Sequence, residues 1–138
     1  MRAGSIAATL HRMANRCLIV DDNESFLEIV RGLLEQEGLS VVGVASTCTE
    51  AVRLFESLRP DVVLVDIFLG EESGLEVARR LVGNGRGNRA TVILISTNSE
   101  ADLTGLIAAS PAAAFLPKTE ISAKAIRRIV DASERPGT

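Results

Sequence analysis

Five short apolar runs alternate along the chain with stretches in which apolar residues recur at helical spacing. The runs are CLIV (17–20), SVVGVA (40–45), DVVLV (61–65), TVILI (91–95) and AAAFL (112–116). Several of them are almost continuously apolar, which is typical of strands that are covered on both faces. The alternation of strand and helix predicts an α/β fold in which helices cover both faces of a parallel sheet.

A helix is predicted after each strand. The first has an apolar face and ends before Gly38. Its face is predicted to consist of Phe26, Ile29, Val30, Leu33 and Leu34. Capping boxes, Thr47 with Glu50 and Ser73 with Glu76, predict where the second and third helices begin.

The last two helices follow the fourth and fifth runs. A polar loop at 83–89 first returns the chain to the fourth strand. The fourth helix is then predicted from about residue 99 to 109, and the fifth from near Ser122. The fifth helix is expected to bury Ala125, Ile126, Ile129 and Val130.

The length of 138 residues, of which 46% are hydrophobic and 24% charged, is that of one domain with a single core. We predict a flexible leader at 1–15, the domain at 16–133 and a tail at 134–138. No apolar run approaches the roughly 20 residues that span a bilayer, so no membrane segment is predicted.

The net charge of −3 is unevenly distributed. Arg2, Arg12 and Arg16 precede residue 17 without an acid among them, and the remaining chain is mildly acidic, which argues against a nucleic-acid groove. The lone His11 receives no role. Cys17 and Cys48 form no metal-binding pattern and are interpreted as packing residues of a cytoplasmic protein.

Polar side chains stand where four of the predicted strands end. Asp21 and Asp22 follow the first strand, Asp66 the third, Ser96 the fourth and Lys118 the fifth. In open parallel sheets ligands bind beyond these carboxyl ends. Any one of these residues alone is weak evidence; Asp22, for example, is equally suited to capping the first helix.

The combination predicts a metal-assisted site. Three carboxylates in one crevice repel unless a cation joins them, and oxygen ligands without His or Cys favour Mg²⁺. A carboxylate beside Mg²⁺ and Lys118 can attack phosphorus and hold an aspartyl phosphate, whose oxygens the lysine and the Ser96 hydroxyl would contact.

Four segments carry a resemblance to the receiver domains of response regulators. They are IVDDNESF (19–26), DVVLVDIFLGEESGLEVARRL (61–81), VILIST (92–97) and FLPK (115–118). The resemblance extends from residue 17 to about 132. It implies a flavodoxin-like (βα)5 fold with a five-stranded sheet of order 2-1-3-4-5, in which the first and third strands are neighbours.

The resemblance also implies roles for the residues at the strand ends. Asp66 would accept phosphate from a sensor histidine kinase, Lys118 would pair with the phosphoryl group, and Ser96 would move toward it. Phe115 matches the aromatic switch that turns inward when this hydroxyl moves. The face formed by the fourth helix, fifth strand and fifth helix would then signal to an output domain or target, and would offer a surface for a homodimer.

The metal set is implied in the same way. Asp22 and Asp66 would bind Mg²⁺ directly, Asp21 would act through water, and the backbone carbonyl of Phe68 would add a ligand. The chain would be a signalling phosphoacceptor rather than an enzyme, apart from the chemistry of its own phosphorylation and dephosphorylation.

Three positions depart from the family pattern. Gly70 replaces a frequent proline and Ser73 a frequent aspartate, which predicts a looser loop after the third strand. Thr119 stands where a proline usually follows the lysine, and a trans Lys118–Thr119 bond is therefore expected.

Alternative interpretations stay open at this point. A haloacid-dehalogenase-type phosphatase needs an acid two residues after the nucleophile, where this chain has Phe68. A degenerate receiver and a nucleotide-binding flavodoxin-like protein are the others. Phe115 is also suited to a core position, and Glu71 and Glu72 to a solvated loop. The sequence does not decide between a stand-alone receiver and part of a longer protein.

Overall fold

A computed structural model describes residues 16–83, 90–99 and 101–133. The predicted leader with His11, the tail and residues 84–89 of the predicted polar loop lie outside these ranges. None of the helices described is long and apolar enough to cross a membrane.

The strands form one parallel sheet. They are β1 (Arg16–Val20), β2 (Ser40–Ala45), β3 (Val62–Asp66), β4 (Thr91–Ser96) and β5 (Ala114–Pro117). Their order, β2-β1-β3-β4-β5, is the predicted flavodoxin-like order 2-1-3-4-5. A small antiparallel hairpin of Phe68–Leu69 with Glu72–Ser73 follows β3 and is not numbered with the sheet.

Five helices connect the strands. They are α1 (Glu24–Gln36), α2 (Cys48–Leu58), α3 (Gly74–Gly83), α4 (Thr104–Ala108) and α5 (Ala123–Ser133). Two 3₁₀ turns, Ala101–Leu103 and Lys118–Glu120, precede α4 and α5. The described part of the domain thus runs from Arg16 to Ser133.

Two hydrophobic clusters lie on opposite faces of the sheet. Alternate strand residues divide between them: Ile19 and Leu64 pack with α1 and α5, whereas Leu18 and Val65 pack with α2 and α3. Burial on both faces explains why the strands are continuously apolar in sequence.

The predicted apolar face of α1 is partly wrong. Ile29 is 71% exposed and Leu33 37% exposed, and the buried positions are Leu27, Val30 and Leu34. The sequence offers two overlapping stripes at helical spacing, and the orientation in which the helix leaves β1 decides which of them faces the sheet.

The two predicted capping boxes have different outcomes. Thr47 accepts a hydrogen bond from the Glu50 backbone N–H at 3.1 Å, as predicted. The Ser73 hydroxyl instead accepts from Leu75 N at 3.1 Å. The Glu76 carboxylate contacts the arginines one turn further along α3 rather than the helix start, so the second box is wrong.

The fourth and fifth helices differ in regularity. The predicted helix at 99–109 is a 3₁₀ turn followed by the five-residue α4, in which no residue is buried. A helix without a buried stripe has little tertiary packing to extend it. Helix α5 begins beside Ser122, as expected, and its first N–H, that of Ala123, donates to the Glu37 carboxylate at 2.7 Å.

Candidate functional site

The three predicted carboxylates meet at the carboxyl edge of the sheet. Val20 of β1 pairs with Val65 of β3, so the residues that follow, Asp21 and Asp66, lie side by side. Asp21 is fully buried, Asp66 is 6% exposed and Asp22 is exposed. One oxygen from each of the three lies within 4.8 Å of the others.

Asp21 is fixed by the start of α1. Its Oδ1 accepts from Asn23 N at 2.9 Å, and the Asn23 side chain in turn accepts from Phe26 N at 3.0 Å. Asn23 is therefore the N-cap of α1, and the alternative interpretation of Asp22 as that cap is wrong.

Asp66 is fixed by the loop that follows β3. Its Oδ1 accepts from Phe68 N at 3.0 Å. The same loop approaches Asp22 closely, because a Cβ added to Gly70 would lie 3.1 Å from Asp22 Oδ2. Gly70 has φ +61°, which a proline ring forbids, so this loop takes a backbone that the frequent proline would exclude.

Lys118 joins the two buried carboxylates. Its Nζ lies 2.7 Å from Asp21 Oδ2 and 3.0 Å from Asp66 Oδ2, and its side chain is 12% exposed. Burial acts to lower the pKa of Lys118, but the two carboxylates outweigh it and raise the pKa above its ordinary value. The ammonium is therefore charged at neutral pH.

The cluster remains short of positive charge. Burial and the neighbouring Asp21 raise the pKa of Asp66, although the Phe68 N–H and Lys118 act to lower it. Asp21 and Asp66 share the one Lys118 ammonium, at 2.7 and 3.0 Å, and the Asp22 carboxylate lies beside them, so three acids face a single positive charge.

These features fit a hard divalent cation. Mg²⁺ takes oxygen ligands, and Asp21, Asp22 and Asp66 supply them without any nitrogen or sulfur donor. A cation here would offset the excess negative charge of the three acids and lower the pKa of Asp66 again.

Ser96 and Phe115 lie on the neighbouring strands. Ser96 is the last residue of β4 and is 1% exposed, and its Oγ accepts from Asn98 N at 3.1 Å. Phe115 pairs with Leu94 in the sheet and is half-buried against the cluster that packs with α2 and α3. The structure thus places Ser96 at the carboxyl edge of the sheet, with its hydroxyl engaged by its own turn, and Phe115 on the neighbouring strand, three residues before Lys118.

Two contacts were missed in the sequence. The Lys118 ammonium lies over the Phe26 ring, 4.1 Å from its centroid. The Glu72 carboxylate, interpreted as part of a solvated loop, accepts from Cys48 N at 2.8 Å and so ties the loop after β3 to the start of α2. The first had a signal in the sequence: helical side chains lean toward the N-terminus, and Phe26 is in the first turn after Asp22.

The peptide bond after Lys118 has the trans form that the sequence predicted. No peptide bond in the described ranges is cis, as expected from Thr119 in place of the family's proline.

Cys17 and Cys48 are buried free thiols, and burial raises the pKa of Cys17 to about 12, in accord with a packing role.

Comparison with known proteins identifies the arrangement. Residues 17–131 match the response regulator receiver domain family. The solved receiver domain of the putative response regulator NarL from Mycobacterium tuberculosis is 28% identical, with a TM-score of 0.71 over 87% of this chain and 97% of that one. The receiver domain of a modulated diguanylate cyclase from Desulfovibrio desulfuricans is 31% identical, with a TM-score of 0.69 over 85% and 90%.

The curated relatives are longer proteins. A protein-glutamate methylesterase/protein-glutamine glutaminase from Hahella chejuensis is 40% identical over 65 residues, which are 47% of this chain and 19% of that protein. The transcriptional regulatory protein YdfI from Bacillus subtilis is 32% identical over 87 residues, 62% of this chain and 39% of that protein. The chain therefore spans less than half the length of either relative.

Proposed function

The chain belongs to the response regulator receiver domain family, and from that premise we propose that Asp66 is the phosphoryl acceptor of a two-component relay. The observation that carries the proposal is the group of three carboxylates at one edge of the sheet, with the single Lys118 ammonium between Asp21 and Asp66. A purely structural ion pair would need only one carboxylate for this ammonium.

The donor would be a phosphohistidine of a sensor kinase. An Asp66 oxygen attacks the phosphorus, the phosphorus–nitrogen bond breaks, and the electron pair leaves with the imidazole, so that an acyl phosphate forms on Asp66. Lys118 is placed to contact the transferred oxygens, because its Nζ already lies 3.0 Å from Asp66 Oδ2.

Asp21, Asp22 and Asp66, together with the Phe68 carbonyl, would hold Mg²⁺. The ion supplies neutralisation of the phosphoryl charge. Asn23 and Phe68 keep Asp21 and Asp66 oriented through their backbone N–H groups, so the acceptor oxygens need little rearrangement.

Switching would begin at Ser96. Its hydroxyl must leave Asn98 N to reach a phosphoryl group on Asp66, and Phe115 on the adjacent strand would turn inward behind it. The face of α4, β5 and α5 would then change its population of states and signal to an output domain, a target or a second copy. We place this activity in the cytoplasm, and assign the chain no catalysis beyond its own phosphorylation and dephosphorylation.

The acceptor is tested by incubation with acetyl phosphate or phosphoramidate, with and without EDTA, followed by mass spectrometry. One phosphoryl group should appear on the unaltered chain, and it should be absent in Asp66→Asn and in EDTA. Asp131→Asn, at an exposed position of α5, is the control and should behave as the unaltered chain. Robust phosphorylation of Asp66→Asn would disprove the assignment.

The switch is tested by amide chemical shifts on addition of beryllofluoride, which mimics the phosphoryl group. Beyond the residues in direct contact with the adduct, the changes should concentrate in residues 96 to 130. Changes confined to α1 and α2 would contradict the assigned face.

A further inference from the structure

The Phe26 ring lies on one side of the Lys118 ammonium. The distance from Nζ to the ring centroid is 4.1 Å, within the range in which a cation is attracted to the face of an aromatic ring. Carboxylate oxygens of Asp21 and Asp66 occupy two other sides. The ammonium thus has an aromatic ring and two carboxylates as close neighbours.

A hydrogen bond of its backbone and the packing of its side chain together fix the position of the Phe26 ring. Phe26 N donates to the Asn23 cap at 3.0 Å, so the residue belongs to the first turn of α1. Its half-buried side chain also packs against the cluster that fills the space between the sheet and the helices α1 and α5. The ring is thus held by the same turn that orients Asp21 through Asn23 N.

Lysine needs such a support more than the carboxylates do. Its stem has four rotatable bonds and its ammonium is strongly hydrated, whereas each carboxylate is held by a backbone N–H. Without the ring, the side of the ammonium that faces α1 would be open to water, and solvent-directed conformers of the stem would gain population.

We propose that Phe26 is a positioning residue for Lys118, which holds the ammonium at the acceptor through its π face. The inference rests on the proposed function, since it concerns how fast Asp66 is phosphorylated and not which residue accepts phosphate. Phe26 touches neither the phosphoryl group nor the metal ligands in this assignment, and acts through the lysine alone.

The first experiment varies the electrostatics of the ring and keeps its shape. Phenylalanine at 26 is replaced site-specifically with 4-fluoro- and 3,4,5-trifluorophenylalanine, and phosphorylation by phosphoramidate at fixed Mg²⁺ is measured. The rate should fall stepwise with fluorination, to about one fifth for the trifluoro ring, since fluorine withdraws charge from the π face. Phe26→Leu should fall at least as far and Phe26→Tyr should stay near the starting rate. Equal rates across the fluorinated series would overturn the proposal in favour of packing alone.

The second experiment distinguishes a misplaced Lys118 ammonium from a site in which the carboxylates themselves have moved. Lys118 competes with a cation for the Asp21 and Asp66 oxygens, so Phe26→Leu should bind Mg²⁺ as tightly as the unaltered chain or up to about fivefold tighter. Calorimetry is suitable because the chain has no Trp or Tyr to report binding by fluorescence. Weaker Mg²⁺ binding would show that the carboxylates have moved, and would count against the proposal.

The matched control is Phe55→Leu. Phe55 is 3% exposed and packs on the opposite face of the sheet, so it reports the loss of a buried ring without the lysine contact. It should lower the stability and leave both the phosphorylation rate and the Mg²⁺ affinity unchanged. An equal loss of rate in Phe55→Leu would overturn the inference.

A third measurement needs no phosphorylation. The Lys118 Hε protons, on the carbon bonded to the Nζ that lies over the ring, should resonate upfield in the unaltered chain and in Phe26→Tyr, and should return to ordinary shifts in Phe26→Leu. If the unaltered chain is never phosphorylated, the proposed function fails, whereas the contact is still judged by this shift. Ordinary Lys118 shifts in the unaltered chain would refute the contact even if Asp66 is phosphorylated.

Discussion

Strand β3 has an aspartate at each end, and the two have different surroundings. Asp61 directly precedes the strand and Asp66 is its last residue, roughly 16 Å apart along an extended chain. Asp61 is half-buried and Asp66 is buried. Residue type and strand are the same, so the difference in chemistry comes from the neighbours.

Asp61 makes three hydrogen bonds to the backbone of neighbouring strands. Its Oδ2 accepts from Arg16 N at 3.0 Å, its own N–H donates to the Arg16 carbonyl at 2.8 Å, and its carbonyl accepts from Thr91 N at 2.9 Å. These bonds close the sheet at the starts of β1, β3 and β4. The Asp61 carboxylate thus adds one hydrogen bond to those that the strand backbones make at this end of the sheet.

Asp66 accepts one backbone hydrogen bond, from Phe68 N, and in addition has charged side chains as close neighbours. It shares Lys118 with Asp21, and its pKa is raised by burial and by the Asp21 charge. An acid at a strand end that binds neighbouring backbone is therefore structural, whereas one that shares a single ammonium with a second buried acid is a candidate for ligand binding.

The largest effect on stability is expected at Gly74, which lies very close to the backbone of Asp66. None of the glycines described lies as close to Asp61. A Cβ on Gly74 would lie 1.8 Å from the Asp66 carbonyl oxygen and 2.9 Å from Ile67 Cα. Backbone cannot yield as a side chain does, so Gly74→Ala should cost about 3 kcal/mol of unfolding free energy by overpacking. Urea denaturation measures it.

Gly32→Ala is the matched control for this substitution. Gly32 is in the interior of α1, and an added Cβ would meet nothing within 4 Å. Alanine should raise the stability there by up to about 1 kcal/mol, because it favours the helix. A Gly74→Ala variant as stable as the unaltered chain would show that the loop after β3 can shift away from Asp66.

Much of this contrast was accessible from the sequence. Continuous apolar runs predicted the five strands, and the strand ends predicted that Asp21, Asp66, Ser96 and Lys118 share one edge. Both follow from local pattern and from parallel topology. The resemblance added the strand order, which brings Asp21 and Asp66 together, and the shared edge was then found as expected.

The rest depends on contacts between distant segments. Ile29 and Leu33 have helical spacing but face outward, because the rotation of α1 is set by its packing and not by its own sequence. Glu72 was indistinguishable from a solvated loop residue until α2 placed Cys48 N beside it. The place of Phe26 in the first turn of α1 was readable, but its partner Lys118 lies 92 positions away in sequence, and no local pattern names that partner.

A smaller effect, on the rate of phosphate loss, is expected at Phe68 in the loop that follows Asp66. Its side chain is 50% exposed, two residues after the acceptor, and has no group that could orient water. We expect it to shield the acyl phosphate, so that Phe68→Asn and Phe68→Glu lose phosphate about tenfold faster than the unaltered chain. The decay of phosphorylated protein is followed by mass spectrometry after removal of the donor. If neither polar substitution speeds the loss, Phe68 is only a loop residue.

The smallest effect is expected at Asp61, and it tests the comparison most directly. Asp61→Ala removes the acceptor for Arg16 N, which is near the surface where water can replace it, so the cost should be about 1 kcal/mol in unfolding free energy. Asp61→Asn keeps an acceptor oxygen and should cost less. Neither should alter the phosphorylation rate by more than about twofold, because the strand separates Asp61 from the carboxyl edge and solvent screens its charge at that distance. A large loss of phosphorylation in a stably folded Asp61→Asn would mean that the two ends of β3 are coupled, and that the backbone bonds of Asp61 help to set the position of Asp66.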